Sequence, residues 1–315
     1  MLDTQVITQE EWKRDNAILF EQLGSRDPMQ VKKAEDTINA FTRTTMKEDG
    51  VYRRVIPMIP IPNEELDRSV ATSKPVKVID REPDNPGSIT IPFAALPSSL
   101  YMQAERYEVR FVRMATPRYT KDVSELRTWI MDVRQVLSDN SIKDLLAEED
   151  KKFFAACDYA TVGPDIVVAN SGVVQHQVFD GDINRDSLFD MKKVLPSTPS
   201  SLETHTIVVN HITINDVCKF TYEEMGGDVS GEIMKKGWTI EEFMGIRWII
   251  TIKKALVPTK SFRLFADPSF IGKSFSLEPV TLHVKRDAYF VEFFAYEEIG
   301  GAIGWTSGIG RVDHQ

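Results

Sequence analysis

The stretch KDVSELRTWIMDVRQVLSDNSIKDLLAEEDKKFFAACDY, from Lys121 to Tyr159, decides how the rest of the chain must be arranged. Val123, Leu126, Ile130, Val133 and Leu137, then Ile142, Leu145, Leu146, Phe153 and Phe154, recur at three- and four-residue intervals, so one face of a long helix is apolar. Thr120 is placed to cap it, and Asp122 and Glu125 in the first turn suit the positive end of the helix dipole. At 1.5 Å per residue such a helix would span about 58 Å, more than the core of one ordinary domain. Asp139, Asn140 and Ser141 are its weakest point, where a kink or interruption is expected.

Working outward, Arg106 to Met114 reads as a half-buried strand, because Tyr107, Val109 and Phe111 alternate with Glu108 and Arg110. Upstream, Val51 to Leu100 is rich in proline, with Pro57, Pro60, Pro62, Pro75, Pro83, Pro86, Pro92 and Pro97 forbidding a long helix. The spacing predicts a hairpin there. Val76 to Ile79 leads in, Arg81 to Gly87 turns, and Ile89, Ile91 and Phe93 return. Ordering each residue costs roughly 1–2 kcal/mol of backbone entropy, so an extended segment with no core of its own is expected to lie against a neighbouring chain. The first 50 residues, with Trp12, Ile18, Leu19 and Leu23 and then Val31, Ala34, Ile38 and Phe41 at helical spacing, are likewise too small to fold alone.

Beyond Pro164 strands and shorter helices alternate. Strands are expected at Ile166–Ala169, Thr206–Ile212, Trp248–Ile252, Arg263–Ala266, Val280–Val284 and Ala288–Tyr296. One helix is expected after Asn215, and another capped by Thr239 with Glu242 and stopped at Gly245. The strand Ala288–Tyr296 carries Tyr289, Phe290, Phe293 and Phe294 on both faces, which predicts a central, buried position.

Composition excludes several classes. Hydrophobic residues make up 42% and charged residues 27% of 315, the balance of a folded globular chain and not of a disordered or fibrous one. No run reaches the roughly 18 apolar residues of a membrane helix, and Asp3, Glu10 and Glu11 stand where a signal peptide would be basic, so cytosolic production is expected. A net charge of −9 disfavours a protein that grips nucleic acid through its phosphates. Cys157 and Cys218 supply neither a disulfide framework nor a metal cluster.

The search for chemistry returns near misses. Gly272-Lys273-Ser274 ends like a phosphate-binding loop, but Asp267 occupies the position of the required first glycine. Asp180, Asp182 and Asn184 begin like a calcium loop, yet Arg185 takes the glycine position and Met191 that of the bidentate glutamate. His176, His205, His211, His283 and His314 lack metal-ligand spacing, and the glycines from Gly300 to Gly310 lack the nucleophile-elbow pattern. No catalytic, cofactor-binding or metal-binding residue is therefore assigned.

The order of these parts and four phrases resemble the major capsid protein of tailed double-stranded DNA bacteriophages, the Hong Kong 97 type of shell subunit. The phrases are Arg118 to Arg127 at the start of the long helix, Ala147 to Phe153 near its end, Phe265 to Phe270, and Asp287 to Phe294. The resemblance implies an α+β fold: an N-terminal arm (1–50), an extended hairpin loop (51–107), a peripheral lobe with a spine helix (108–161), an axial lobe (162–278) and a return to the peripheral lobe (279–315). It implies a self-assembling, non-enzymatic subunit forming pentamers and hexamers of an icosahedral virion capsid, assembled in the host cytoplasm. Arg81, Glu82, Asp84, Asn85, Ile89, Ile91 and Phe93 of the loop would touch the neighbouring subunit. The partners implied are further copies of the chain, a scaffolding protein, a portal, a cementing protein and packaged double-stranded DNA bound without sequence specificity, with no membrane. A large cleavable N-terminal domain is missing, which favours a separate scaffold, and no lysine and asparagine pair for covalent crosslinking is recognisable. Three rivals stay open: an encapsulin-type compartment holding protein cargo, a phosphate-handling enzyme built on Lys273, and a monomeric binding module.

Overall fold

A computed structural model describes residues 50–81, 90–93, 96, 97, 99, 105–122, 124, 125, 133–162, 175–198, 200–219 and 242–315, together with position 29. The expectations for the arm helices, the loop turn at 82–89, the strand at 166–169 and the cap at Thr239 fall outside these residues. Among the described residues the strands form two sheets. The seven-stranded sheet comprises β1 (Met58–Pro60), β2 (Asp67–Arg68), β3 (Pro75–Arg81), β4 (Glu105–Ala115), β5 (Tyr119–Asp122), β11 (Gly272–Asp287) and β12 (Phe290–Ile303). Its order is β1-β11-β12-β4-β3-β2, with β5 also on β12. The six-stranded sheet comprises β6 (His176–Phe179), β7 (Thr206–Asn210), β8 (Glu242–Phe243), β9 (Ile246–Thr251), β10 (Ser261–Phe265) and β13 (Ile309–His314), in the order β6-β13-β10-β7-β9-β8.

Helix α1 (Val51–Val55) precedes β1, and the long helix α2 spans Val133–Val162. Its 30 residues correspond to about 45 Å. The expected start is corrected: Lys121 and Asp122 lie in β5, pairing with Val291 and Phe290 of β12. The Asp122 carboxylate accepts a hydrogen bond from the Ser124 amide at 2.7 Å, so Asp122 and not Thr120 ends the extended chain. The helix runs through Asp139, Asn140 and Ser141 without interruption, and the Ser141 side is buried. Leu145, Leu146, Phe153 and Phe154 are buried as the stripe requires.

Strand β12 is central, between β11 and β4. Only one of its faces is fully covered: Val291, Phe293, Ala295, Glu297 and Ile299 point inward, while Tyr289 and Phe290 are exposed at the hairpin tip. Pro279 cannot donate to the ladder, and the β11–β12 register shifts around it, between Ser276 and Thr281. Two further expectations are corrected. His211 and Ile212 begin helix α4 (His211–Val217), capped by the Asn210 side chain, and do not extend the strand. Glu242 and Phe243 form β8, because Met244 (φ 58°) and Gly245 (φ 73°) make the two-residue left-handed turn that a tight hairpin needs. Residues 279–315 contribute to both sheets, since β12 lies in the seven-stranded sheet and β13 pairs with β10 and β6.

One apolar cluster joins α1, α2, the inner face of β12 and the six-stranded sheet. The Phe153 ring lies 4.7 Å from Tyr52 of α1 and 5.6 Å from Phe265 of β10, and α2 packs on β12 of one sheet and β13 of the other, so the long helix lies between the two sheets.

Candidate assembly site

The extended loop is a short-stranded ribbon projecting from the edge of the seven-stranded sheet. Strand β3 pairs antiparallel with β4, from Val76 opposite Arg110 to Arg81 opposite Glu105, and with β2 on its other side. The expected return strand is corrected: Ile91, Pro92 and Phe93 are not in a strand, and β4 takes the place beside β3. Pro92 lacks the amide hydrogen a ladder position requires. Along β3 only Val76 is buried. Val109 of β4, with Ile61 and with Phe275 of β11, forms a separate small cluster of buried residues.

Apolar side chains stand out on this region. Phe93 and Val70 are fully exposed, and Leu96 is 92% exposed, although burying each would be favourable by about 1.5–3 kcal/mol. Around them are exposed ion pairs, Arg106 with Asp80 at 2.7 Å and Lys77 with Glu65 at 3.4 Å, which contribute little in water.

The base of the ribbon is pinned. The Arg81 guanidinium lies 4.3 Å above the Trp305 ring, and the Trp305 indole donates to the Ser200 hydroxyl at 2.8 Å. Gly304 admits the Tyr107 ring, which a Cβ there would meet at 2.9 Å. Of the sequence-predicted contact residues, the structure therefore places Arg81 at the base and Ile91 and Phe93 on the surface; Glu82, Asp84, Asn85 and Ile89 lie outside the described residues.

Buried charges, not assigned from sequence, hold the body of the subunit together. Arg53 of α1 donates to Glu149 of α2 and to Glu297 of β12, the latter at 2.7 Å, and both carboxyl groups are essentially unexposed. Burial, followed by the Glu149 carboxyl beside it, pushes Glu297 up to about 9. Asp150 accepts from the Tyr52 amide at 2.9 Å and from the Lys253 ammonium at 2.7 Å. The Tyr52 hydroxyl donates to Ser274 at 2.7 Å, and burial pushes that phenol up to about 12. Near the other end of α2, Asp158 faces both Arg263 at 2.5 Å and Arg311 at 3.3 Å. Arg263 is buried in β10, and desolvation pulls its pKa down.

A signal for these residues exists. Glu149 and Asp150 occupy the helix face between Leu145–Leu146 and Phe153–Phe154, so the stripe itself carries two acids. Glu297 sits at an inward position of the β12 alternation, where an apolar residue is expected.

The near-miss motifs are also resolved. Gly272, Lys273 and Ser274 open strand β11, paired with Ile303, Ala302 and Gly301, and form no phosphate-cradling loop. Asn184 caps helix α3 (Arg185–Lys193), accepting from the Ser187 amide at 2.7 Å. Among the described residues no group of three or more His, Cys, Asp or Glu side chains could hold a metal ion.

No family model matches the chain, and no curated protein matches it in sequence. Solved structures do match. A chain of Microbacterium phage Oxtober96 superposes with a TM-score of 0.60 at 8% identity, over 84% of this chain and 91% of its own. A chain of the bacteriophage PhiM1 mature capsid gives 0.57 at 8% identity, over 85% and 87%. A chain of a virus-like particle from Pyrococcus furiosus gives 0.50 at 12% identity, over 88% and 98%. Superposing over more than four-fifths of its length on these chains, the protein has the α+β fold of phage capsid subunits, the Hong Kong 97 type.

Proposed function

We propose that this chain is a shell subunit that self-assembles into the pentamers and hexamers of an icosahedral phage capsid enclosing double-stranded DNA. The observation that carries the reading is the extended loop: a ribbon in which Val76 alone is buried along β3 while Phe93 and Val70 are fully exposed, on a fold shared over 85% of the chain with a chain of a mature phage capsid. In a closed shell these side chains and the loop's Arg81, Glu82, Asp84, Asn85, Ile89 and Ile91 face the adjacent copy. The seven-stranded sheet with α2 serves as the peripheral lobe, and the six-stranded sheet serves as the axial lobe. A scaffolding protein, a portal and a cementing protein complete the assembly, which takes place in the host cytoplasm and ends in the virion.

Sedimentation of the purified chain, alone and with candidate scaffolds, tests this. Particles far larger than a 35.8 kDa monomer are expected. A chain that stays monomeric under all such conditions contradicts the proposal. The likeness to the Pyrococcus furiosus virus-like particle supports a second reading, a compartment holding protein cargo. Nuclease-protected DNA inside purified particles favours the first reading, and a co-purifying protein cargo without DNA favours the second.

A further inference from the structure

We propose that Arg53, Glu149 and Glu297 form a single-proton latch that fastens helix α1 to the spine helix and to β12, and that loss of this proton releases α1. Two carboxyl groups with side-chain exposures of 0% and 1% share one guanidinium that is 13% exposed. If both carboxyls were ionised, the site would hold one net negative charge with no partner, which is strongly unfavourable out of water. One proton on the carboxyl pair makes it neutral: one cation, one carboxylate and one carboxylic acid within hydrogen-bonding reach of it.

The other groups packed here do not supply the missing charge. Asp150 is matched by Lys253. Lys152 lies on the same helix beside the cleft, half-exposed, and Glu148 is 3.7 Å from it. Tyr52, whose phenol is held at about 12, stays neutral in the range concerned, and burial pushes the Cys157 thiol up as well. Ser274 carries no charge. The proton on the carboxyl pair is thus the only one this cluster exchanges between neutral and moderately alkaline pH.

The latch has a mechanical consequence because α1 is only five residues long, so that beyond the burial of Val51, Tyr52 and Val55 few contacts hold it. The Tyr52 amide and hydroxyl and the Arg53 guanidinium all reach buried acceptors on α2, β11 and β12. Gly301 leaves the space the Tyr52 hydroxyl occupies, since a Cβ there would lie 2.1 Å from it.

Glu297 is raised in the docked state and ordinary once α1 leaves and water enters. The docked state therefore binds more protons from the usual carboxylate range up to about pH 9, and docking weakens as pH rises through that window. Trypsin cleavage after Arg53 or Arg54 in the full-length protein reads the opening. Glu297→Gln and Glu149→Gln each leave one carboxylate opposite one guanidinium, with no proton to lose. We expect the wild-type cleavage rate, divided by that of either variant, to rise by up to about tenfold per pH unit and to level off near pH 9. Two variants guard against a folding failure in one. A ratio that is flat from pH 6.5 to 9.5 overturns the latch, as does a variant that keeps the wild-type alkaline response.

Discussion

The six-stranded sheet and the extended loop are held by the same backbone pairing, yet one is covered within the chain and the other is not. In β7 and β10 every residue is buried, and Phe262, Leu264 and Val208 are wholly inaccessible. In β3 a single residue is buried, and Phe93 is as exposed as in an unfolded chain. A two- or three-stranded ribbon gains too little from its own contacts to offset the entropy of ordering it. The first region therefore stabilises the folded chain, and the second leaves apolar surface uncovered by the chain's described residues.

Substitutions can break this contrast. Phe262→Ala, in the covered sheet, should cost about 3–5 kcal/mol in urea unfolding because it empties a closed site. A loss below 1 kcal/mol would mean that this sheet is not the stabilising core. Gly301→Ala, beneath α1, should cost about 1–3 kcal/mol through overpacking, since the new methyl would meet the Tyr52 hydroxyl; unchanged stability would show that α1 is loosely held. Phe93→Ser should leave subunit stability within about 0.5 kcal/mol of wild type, as surface changes do, while reducing particle yield. The reverse pattern, an unstable subunit with normal particles, would put Phe93 in an internal core. Arg81→Ala removes the cation–π contact with Trp305 and should cost about 0.5–1 kcal/mol. Faster limited proteolysis of the loop should accompany it, and proteolysis at the wild-type rate would show that the base of the loop is pinned elsewhere.

Much of this architecture is legible in the amino-acid order, and the exceptions have physical causes. Period-two alternation marks β4 well because one face of that strand is truly wet. Period 3.6 marks α2 where Leu145 to Phe154 meet the core. The start of α2 misleads because Lys121 and Asp122 are acceptable to a helix, while pairing of β5 with β12 is a tertiary gain that local propensity does not register. The Thr239–Glu242 spacing imitates a capping box, but the left-handed turn at Met244 and Gly245 commits Glu242 to a hairpin. For the loop, the composition reveals an extended proline-rich segment and β3, but not that its partner is β4, because pairing across 23 intervening residues leaves no local trace. The buried charges are half-hidden for a related reason. Arg53, Glu149 and Glu297 become a cluster only when three distant elements meet, although Glu149 and Glu297 each stand at an inward position of their local pattern.

The central claim is that the exposed loop is completed by another copy of the chain in a closed shell. Negative-stain electron microscopy of the purified protein, with and without added scaffold, tests it most directly. The account predicts rings, shells or tubes with wild-type protein and their loss with Phe93→Ser. Isolated single subunits under every condition, or normal shells from the Phe93→Ser protein, would contradict it.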